Sequence, residues 1–195
     1  MRRVLVIDDH QPSRTHLVTI LKDSGYEIAG EGASGKLALV LTRAAVPDVI
    51  LMAVGLADID GIEAARDVMQ SQPAPIVLLT SHHDAATVER AKMAGIMGYL
   101  VKPLRAEELS PAIELAITRF QDFVSLRAEN STLKENLEAR KLIERAKGLL
   151  MDQRNLSEEQ AYTLIKKTSM NMRKPMADVA QAIILAGGFF KGEKS

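Results

Sequence analysis

The chain has 195 residues, a formal net charge of zero and no cysteine. Its length favours one or two domains, and its 47% hydrophobic and 26% charged residues are ordinary for a globular protein. The lack of cysteine excludes disulfides and thiolate metal sites. No apolar run of ~18 residues and no signal peptide is present, so we predict a cytoplasmic protein without a membrane segment.

Short apolar segments alternate with helical patterns over the first 120 residues or so. The segments are Val4–Ile7, Glu27–Gly30, Val49–Met52, Ile76–Leu79 and Gly98–Val101. Alternation of strand and helix indicates βαβ units, and unbroken apolar runs are typical of parallel strands that are buried on both faces. The sequence therefore predicts an α/β fold with a five-stranded, doubly wound parallel sheet. A ligand site is expected at the carboxyl ends of its strands.

A long helix is predicted from about residue 106 to about residue 150, because no proline follows Pro111 there and the first glycine is Gly148. Its middle part shows a heptad pattern. The a positions are Phe123, Asn130 and Leu137, and the d positions are Leu126 and Leu133.

Opposite charges flank this heptad pattern, with Asp122 facing Arg127 and Glu129 facing Lys134 in a parallel pair of helices. Such charges favour a two-stranded coiled coil, in which the polar Asn130 would set the register and the dimeric state. The pattern covers barely two heptads, so a connector helix that packs on its own domain stays an alternative.

Three helical patterns occupy the last 55 residues or so. The first is the end of the long helix, and the second follows a capping box at residues 157–160. The third is predicted to begin at Pro175 and to stop at Gly187-Gly188. These elements predict a small bundle followed by a flexible tail at residues 189–195.

The charges are distributed unevenly along the chain. Residues 138–195 contain 11 basic and 7 acidic residues, a net charge of +4, which leaves −4 for residues 1–137. The asymmetry favours two parts with different partners, the second partner being a polyanion. A solvated helical surface with mixed charges is the alternative.

Polar residues stand at the ends of the predicted strands. Asp8 and Asp9 follow the first strand, Thr80 ends the fourth and Lys102 follows the fifth. Carboxylates are the ligands that Mg²⁺ prefers, and a hydroxyl with an ammonium can hold a phosphoryl group. The third strand instead ends at Ala53, whose methyl group cannot act as a nucleophile.

Over residues 1–120 the chain resembles the receiver domain of bacterial response regulators. The matching residues are Asp8-Asp9, Pro47-Asp48, Asp60-Gly61, Thr80, Tyr99 and Lys102-Pro103. The resemblance implies a sensor histidine kinase as partner and Mg²⁺ bound by Asp8 and Asp9. It also implies a phosphoryl group held by Thr80 and Lys102, with Tyr99 following their movement, and a cis peptide before Pro103.

The same resemblance places the phosphoacceptor at Ala53, where the family has an aspartate. We therefore expect no stable phosphorylation and weak Mg²⁺ binding or none, because a carboxylate ligand is lost. The sequence leaves open whether this alanine is natural or engineered.

Residues 139–188 resemble the ANTAR domain, a three-helix RNA-binding module. The matching residues are Ala146-Lys147-Gly148-Leu149-Leu150-Met151, Ala161-Tyr162, Leu164, Val179-Ala180 and Ile183. The resemblance implies a dimeric transcription antiterminator that stabilises a leader RNA with two small hairpin loops. It implies no catalysis, and we expect Gly148 to permit a close approach of helix or backbone.

Candidate RNA contacts are basic or aromatic residues of these helices: Arg140, Lys141, Arg145, Lys147, Tyr162, Lys166, Lys167 and Arg173. The predicted organisation is a receiver domain at 1–120, a coiled-coil linker at 121–138 and an ANTAR domain at 139–188. A DNA-binding response regulator and a phosphorylation-independent protein-interaction module are alternatives.

Overall fold

A computed structural model describes residues 1–81 and 85–189 of the chain. The chain divides into two units, Met1–Val124 and Ser125–Ser195. Most of the predicted flexible tail, residues 190–195, lies outside the described residues. No helix within the described part of the chain is long and apolar enough to span a membrane.

The first unit is built on a five-stranded parallel sheet with the strand order β2-β1-β3-β4-β5. The strands are β1 (Arg3–Ile7), β2 (Glu27–Gly32), β3 (Val49–Ala53), β4 (Ile76–Thr80) and β5 (Gly98–Val101). The helices that alternate with them are α1 (Gln11–Asp23), α2 (Gly35–Ala45), α3 (Gly61–Ser71), α4 (Ala85–Met93) and α5 (Ala106–Arg154). This confirms the predicted doubly wound fold.

The three central strands are buried on both faces of the sheet. Along β1, Leu5 and Ile7 join one apolar cluster, whereas Val4 and Val6 join a second cluster on the opposite face. Side chains alternate between the faces of a strand, and helices cover both faces here, so the interior positions of these strands are apolar. This burial explains the unbroken apolar runs of the sequence.

The second unit contains the end of α5 together with α6 (Glu158–Met172) and α7 (Met176–Phe189). Its core is formed by Ala146, Leu150, Ala161, Ile165, Val179 and Ala180. The predicted capping box is confirmed, because the Ser157 hydroxyl accepts from the Gln160 N–H at 3.2 Å and the Gln160 side chain accepts from the Ser157 N–H at 2.9 Å.

The predicted bounds of the last helix were wrong. The helix α7 begins at Met176 rather than Pro175 and continues through Gly187 and Gly188 to Phe189. A glycine costs a helix only about 1 kcal/mol relative to alanine, so two glycines near a helix end need not stop it.

The long helix α5 spans 49 residues without interruption. Phe123 is half-buried against the apolar core of the first unit, and its ring centroid lies 6.5 Å from that of Phe120. A side chain that packs on its own domain is not presented to a partner helix, which argues against Phe123 as a coiled-coil position. By contrast Leu126, Leu133 and Leu137 are between 54% and 65% exposed.

Candidate functional site

Asp8 lies buried at the carboxyl end of β1 and is 1% exposed. One of its carboxylate oxygens accepts from the His10 N–H at 3.0 Å, and the other accepts from the Lys102 ammonium at 2.5 Å. Asp9, the next residue, is exposed. The two residues of the predicted acidic pair thus differ in burial, and the ammonium of Lys102 neutralises the buried Asp8.

Ala53 is the last residue of β3 and is 3% exposed. The turn that follows folds back onto this strand end, since the Gly61 N–H donates to the Val54 carbonyl at 2.7 Å. A Cβ atom on Gly61 would overlap the Ala53 carbonyl oxygen. The backbone around position 53 is thus tightly constrained, although its side chain carries no reactive group.

Two aspartates close to Ala53 along the chain serve as helix caps. Asp58 accepts from the Ser34 hydroxyl at 2.6 Å and from the N–H groups of Gly35 and Lys36 at 2.8 and 3.0 Å, at the start of α2. These hydrogen bonds, that from Ser34 above all, hold the pKa of Asp58 well below its usual range. Such a carboxylate is committed to α2 and does not replace a phosphoacceptor.

Asp60 is the second of these caps. One of its oxygens accepts from the Ile62 N–H at 2.7 Å at the start of α3, and the other accepts from Arg90 at 2.8 Å. The sequence placed both aspartates in the loop after β3 but did not reveal their partners. Serine is a preferred residue at a helix start, so the sequence suggests that Ser34 itself caps α2. The side chain that accepts from the first N–H groups of α2 is instead that of Asp58, 24 positions after Ser34.

The remaining residues of the predicted phosphoryl site also lie at the carboxyl edge of the sheet. Thr80 is buried at the end of β4, and its carbonyl accepts from the Lys102 N–H at 2.8 Å. The Lys102–Pro103 peptide is cis, as expected. Tyr99, on β5, is 48% exposed. Because β1, β3, β4 and β5 are successive neighbours in the sheet, Asp8, Ala53, Thr80 and Lys102 follow one another along this edge.

These residues do not fit a magnesium ion well. The site offers one buried carboxylate, Asp8, and an ammonium already occupies one of its oxygens. Ala53 supplies no side-chain oxygen, and the described residues contain no cluster of three acidic, histidine or cysteine side chains that could hold a metal ion. A hard divalent cation requires oxygen ligands, and the methyl group of Ala53 cannot supply one.

In the second unit, Lys147 makes an ion triad with Glu144 and Glu158. Its ammonium donates to both Glu144 oxygens at 3.0 and 2.9 Å and to Glu158 at 2.7 Å, and its side chain is 9% exposed. The carboxylates, Glu158 first, raise the pKa of the Lys147 ammonium above its ordinary 10.5. This geometry weighs against the predicted contact between Lys147 and RNA.

The other candidate RNA contacts are exposed. They are Arg140, Lys141, Arg145, Tyr162, Lys166, Lys167 and Arg173. Lys141 pairs with Glu138 at 2.7 Å on the surface of α5. Tyr162 is 43% exposed, so it is not a core residue and its ring is accessible for stacking.

The expectation that Gly148 permits a close approach is not met within the chain. Apart from its chain neighbours and the adjacent backbone of its own helix, no described atom lies within 4 Å of the position that a Cβ atom would take there. The glycine is therefore not required by packing inside the second unit.

Comparison with known proteins assigns both parts of the chain. Residues 4–114 match the model of the response regulator receiver domain, and residues 131–184 match that of the ANTAR domain. The transcriptional regulatory protein PdtaR of Mycobacterium tuberculosis H37Rv is 43% identical over 183 residues, which cover 94% of this chain and 89% of PdtaR.

Two further similar proteins each match a little over half of the chain. The response regulator VraR of Staphylococcus aureus is 35% identical over 57% of this chain and 54% of its own length. The receiver domain of the putative response regulator NarL from M. tuberculosis superposes with a TM-score of 0.57 and 32% identity, covering 60% of this chain and 96% of that domain.

Proposed function

The chain belongs to the response regulators that join a receiver domain to an RNA-binding ANTAR domain, and on this premise we propose that it is an antiterminator that binds a leader RNA with two small hairpins. Receiver domains interact with histidine kinases and ANTAR domains bind RNA, and neither family is enzymatic. The observation that carries the proposal is the ANTAR match together with an exposed basic and aromatic surface on the second unit.

The charge and side chains of the second unit support RNA as the ligand. Residues 138–195 carry a net charge of +4, which favours phosphate contacts whose strength falls with salt. Proteins read single-stranded RNA loops by stacking bases on aromatic rings and by contacts to base edges. Tyr162 is the aromatic candidate, with Arg140, Lys141, Arg145, Lys166, Lys167 and Arg173 as the candidate phosphate contacts.

The receiver domain, in our proposal, is not phosphorylated in this form of the protein. Phosphoryl transfer requires a carboxylate at position 53, and the chain has a buried methyl group there. Receiver domains generally bind Mg²⁺ at the phosphorylation site; here we propose weak binding or none. A sensor histidine kinase would be the phosphodonor of a form that carries an aspartate at this position.

We further propose that the RNA-bound form is a dimer that pairs along α5. The supporting observation is the exposure of Leu126, Leu133 and Leu137, together with Asn130, on a helix that has no described neighbour there. Apolar side chains at heptad spacing are stabilised when a second helix covers them.

Measuring RNA binding of the full chain at low salt tests the proposal. We expect a two-hairpin leader RNA to bind more tightly than a DNA duplex of equal phosphate number, and to increase read-through at an intrinsic terminator in transcription by purified RNA polymerase. Preference for the duplex would instead favour a DNA-binding regulator. Absence of binding to either nucleic acid would favour a protein-interaction module and contradict the proposal.

A further inference from the structure

Lys147 is buried, whereas the other basic residues that the structure describes in the second unit are exposed. Its Nζ atom makes three hydrogen bonds, to Glu144 of α5 and Glu158 of α6. An ammonium has three donors and no acceptor, so these contacts use its full hydrogen-bonding capacity. A phosphate could reach it only by displacing a carboxylate.

The triad joins two helices across the short segment that connects them. Glu144 lies one turn before Lys147 on α5, whereas Glu158 is the first residue of α6 and follows the cap at Ser157. A charge-assisted contact at this point links the start of α6 to α5 through the buried ammonium of Lys147, although both carboxylates are exposed. The stem of Lys147 is buried beside the core residue Ala146.

The restrained faces of these helices are the ones that carry candidate RNA contacts. Glu158, Tyr162 and Lys166 recur every four residues, so they share one face of α6. Arg140 lies two turns before Lys147, on the same side of α5. The triad therefore connects two helix faces. One is the side of α5 that carries Arg140, and the other is the face of α6 that carries Tyr162 and Lys166.

We propose that Lys147 is a positioning residue: it does not touch RNA, and its contacts with Glu144 and Glu158 hold Arg140, Tyr162 and Lys166 on one continuous surface for a single-stranded RNA loop. The inference rests on the proposed function. In this proposal the exposed basic residues of the unit contact phosphate, whereas Lys147 only holds the helices that carry them.

The test compares Lys147→Met with Lys166→Met in the full chain, using a two-hairpin RNA over a range of salt concentrations. Lys147→Met should weaken binding several-fold and leave the slope of log K against log salt unchanged. Lys166→Met, which removes an exposed cation, should reduce that slope by about 0.7 for one lost phosphate contact.

A charge exchange gives a second readout. Combining Lys147→Glu with Glu158→Lys again places an ammonium near two carboxylates, but the ammonium then belongs to α6 and both carboxylates to α5. We expect this double variant to recover most of the RNA affinity that Lys147→Met loses. Circular dichroism shows whether this variant folds; where it does not, the salt slope decides alone. An unchanged affinity for Lys147→Met, a slope reduced as in Lys166→Met, or a folded exchange variant that fails to recover would each overturn the inference.

Failure of the proposed function is distinguishable from failure of the triad. If the unaltered chain does not bind RNA, the antiterminator proposal is wrong, and thermal unfolding then decides whether the triad holds the helices. A midpoint lowered by Lys147→Met and recovered by the exchange supports that role, whereas an unchanged midpoint overturns it.

Discussion

Position 53 allows the proposed lack of phosphorylation to be tested with a single side chain. Ala53→Asp would add a carboxylate next to the buried Asp8, and two carboxylates in one site repel unless a cation lies between them. We expect the variant to be less stable than the unaltered chain without Mg²⁺ and to gain about 2.7 kcal/mol at roughly 100 times its Kd for Mg²⁺.

Thermal unfolding with and without Mg²⁺, followed by mass measurement after incubation with a small acyl phosphate, checks this prediction. The unaltered chain is the control and should show neither a Mg²⁺-dependent midpoint nor an added phosphoryl group. Phosphorylation of the unaltered chain would mean that another group replaces the missing aspartate.

Gly148 and Gly61 make a pair of glycines with opposite expected behaviour. Gly148→Ala should stabilise the second unit by about 1 kcal/mol, because alanine favours a helix interior and no described atom crowds its Cβ atom. Gly61→Ala should destabilise the first unit, since its Cβ atom would meet the Ala53 backbone. Chemical denaturation of both variants measures these effects. A destabilising Gly148→Ala would reveal a contact that the described residues lack.

Among the elements, the start of α2 depends on a residue from the loop after β3. The pKa of Asp58 is lowered, so its contribution to stability is present above its usual 3.8 and is lost as the pH falls through the folded-state pKa. We expect Asp58→Asn to be less stable at neutral pH and to lose less stability on acidification below about pH 4. Unfolding at a series of pH values measures both effects.

Asp67→Asn provides the matched control for this prediction, because Asp67 is an exposed acid on α3. Its stability should follow that of the unaltered chain across the pH range. An acid profile that is the same for Asp58→Asn and Asp67→Asn would show that the cap contributes no pH-dependent stability.

The strands and most helices were predictable from the sequence because their signals are local. An apolar run such as Val49–Met52 reports burial on both faces, and the capping box at Ser157 reports a helix start. The cap of α2 by Asp58 and the triad around Lys147 were not predictable. They depend on which distant carboxylate reaches which donor, and a sequence of charges alone does not contain that information.

For the whole molecule, the exposed leucines of α5 predict a concentration-dependent dimer. Leu133→Lys at the d position should shift the sedimentation equilibrium towards monomer, because a charged side chain would have to be buried between two helices. Ala128 is exposed and lies at neither an a nor a d position, so Ala128→Lys should leave the equilibrium unchanged. Equal effects of the two substitutions would contradict pairing along this stripe.

The sequence shows that the chain has two units but not where the boundary between them lies. The receiver and ANTAR motifs assign residues 4–114 and 131–184 to different families, and the charge asymmetry follows the same division. The helix α5 crosses this division without a break. Its Pro111 and Gly148 both lie more than ten residues from the division, so neither marks where one unit ends. The boundary between the units is set by packing, because Phe123 packs against the core of the first unit.

The close approach of Gly61 to the Ala53 carbonyl has a consequence for genetic studies of this protein. In a saturation mutagenesis screen, position 61 would rank among the most intolerant of the receiver domain. That intolerance would be easily mistaken for a sign of active signalling through the neighbouring strand end. It would report only that the backbone there leaves no room for a side chain, whether or not the domain ever receives a phosphoryl group.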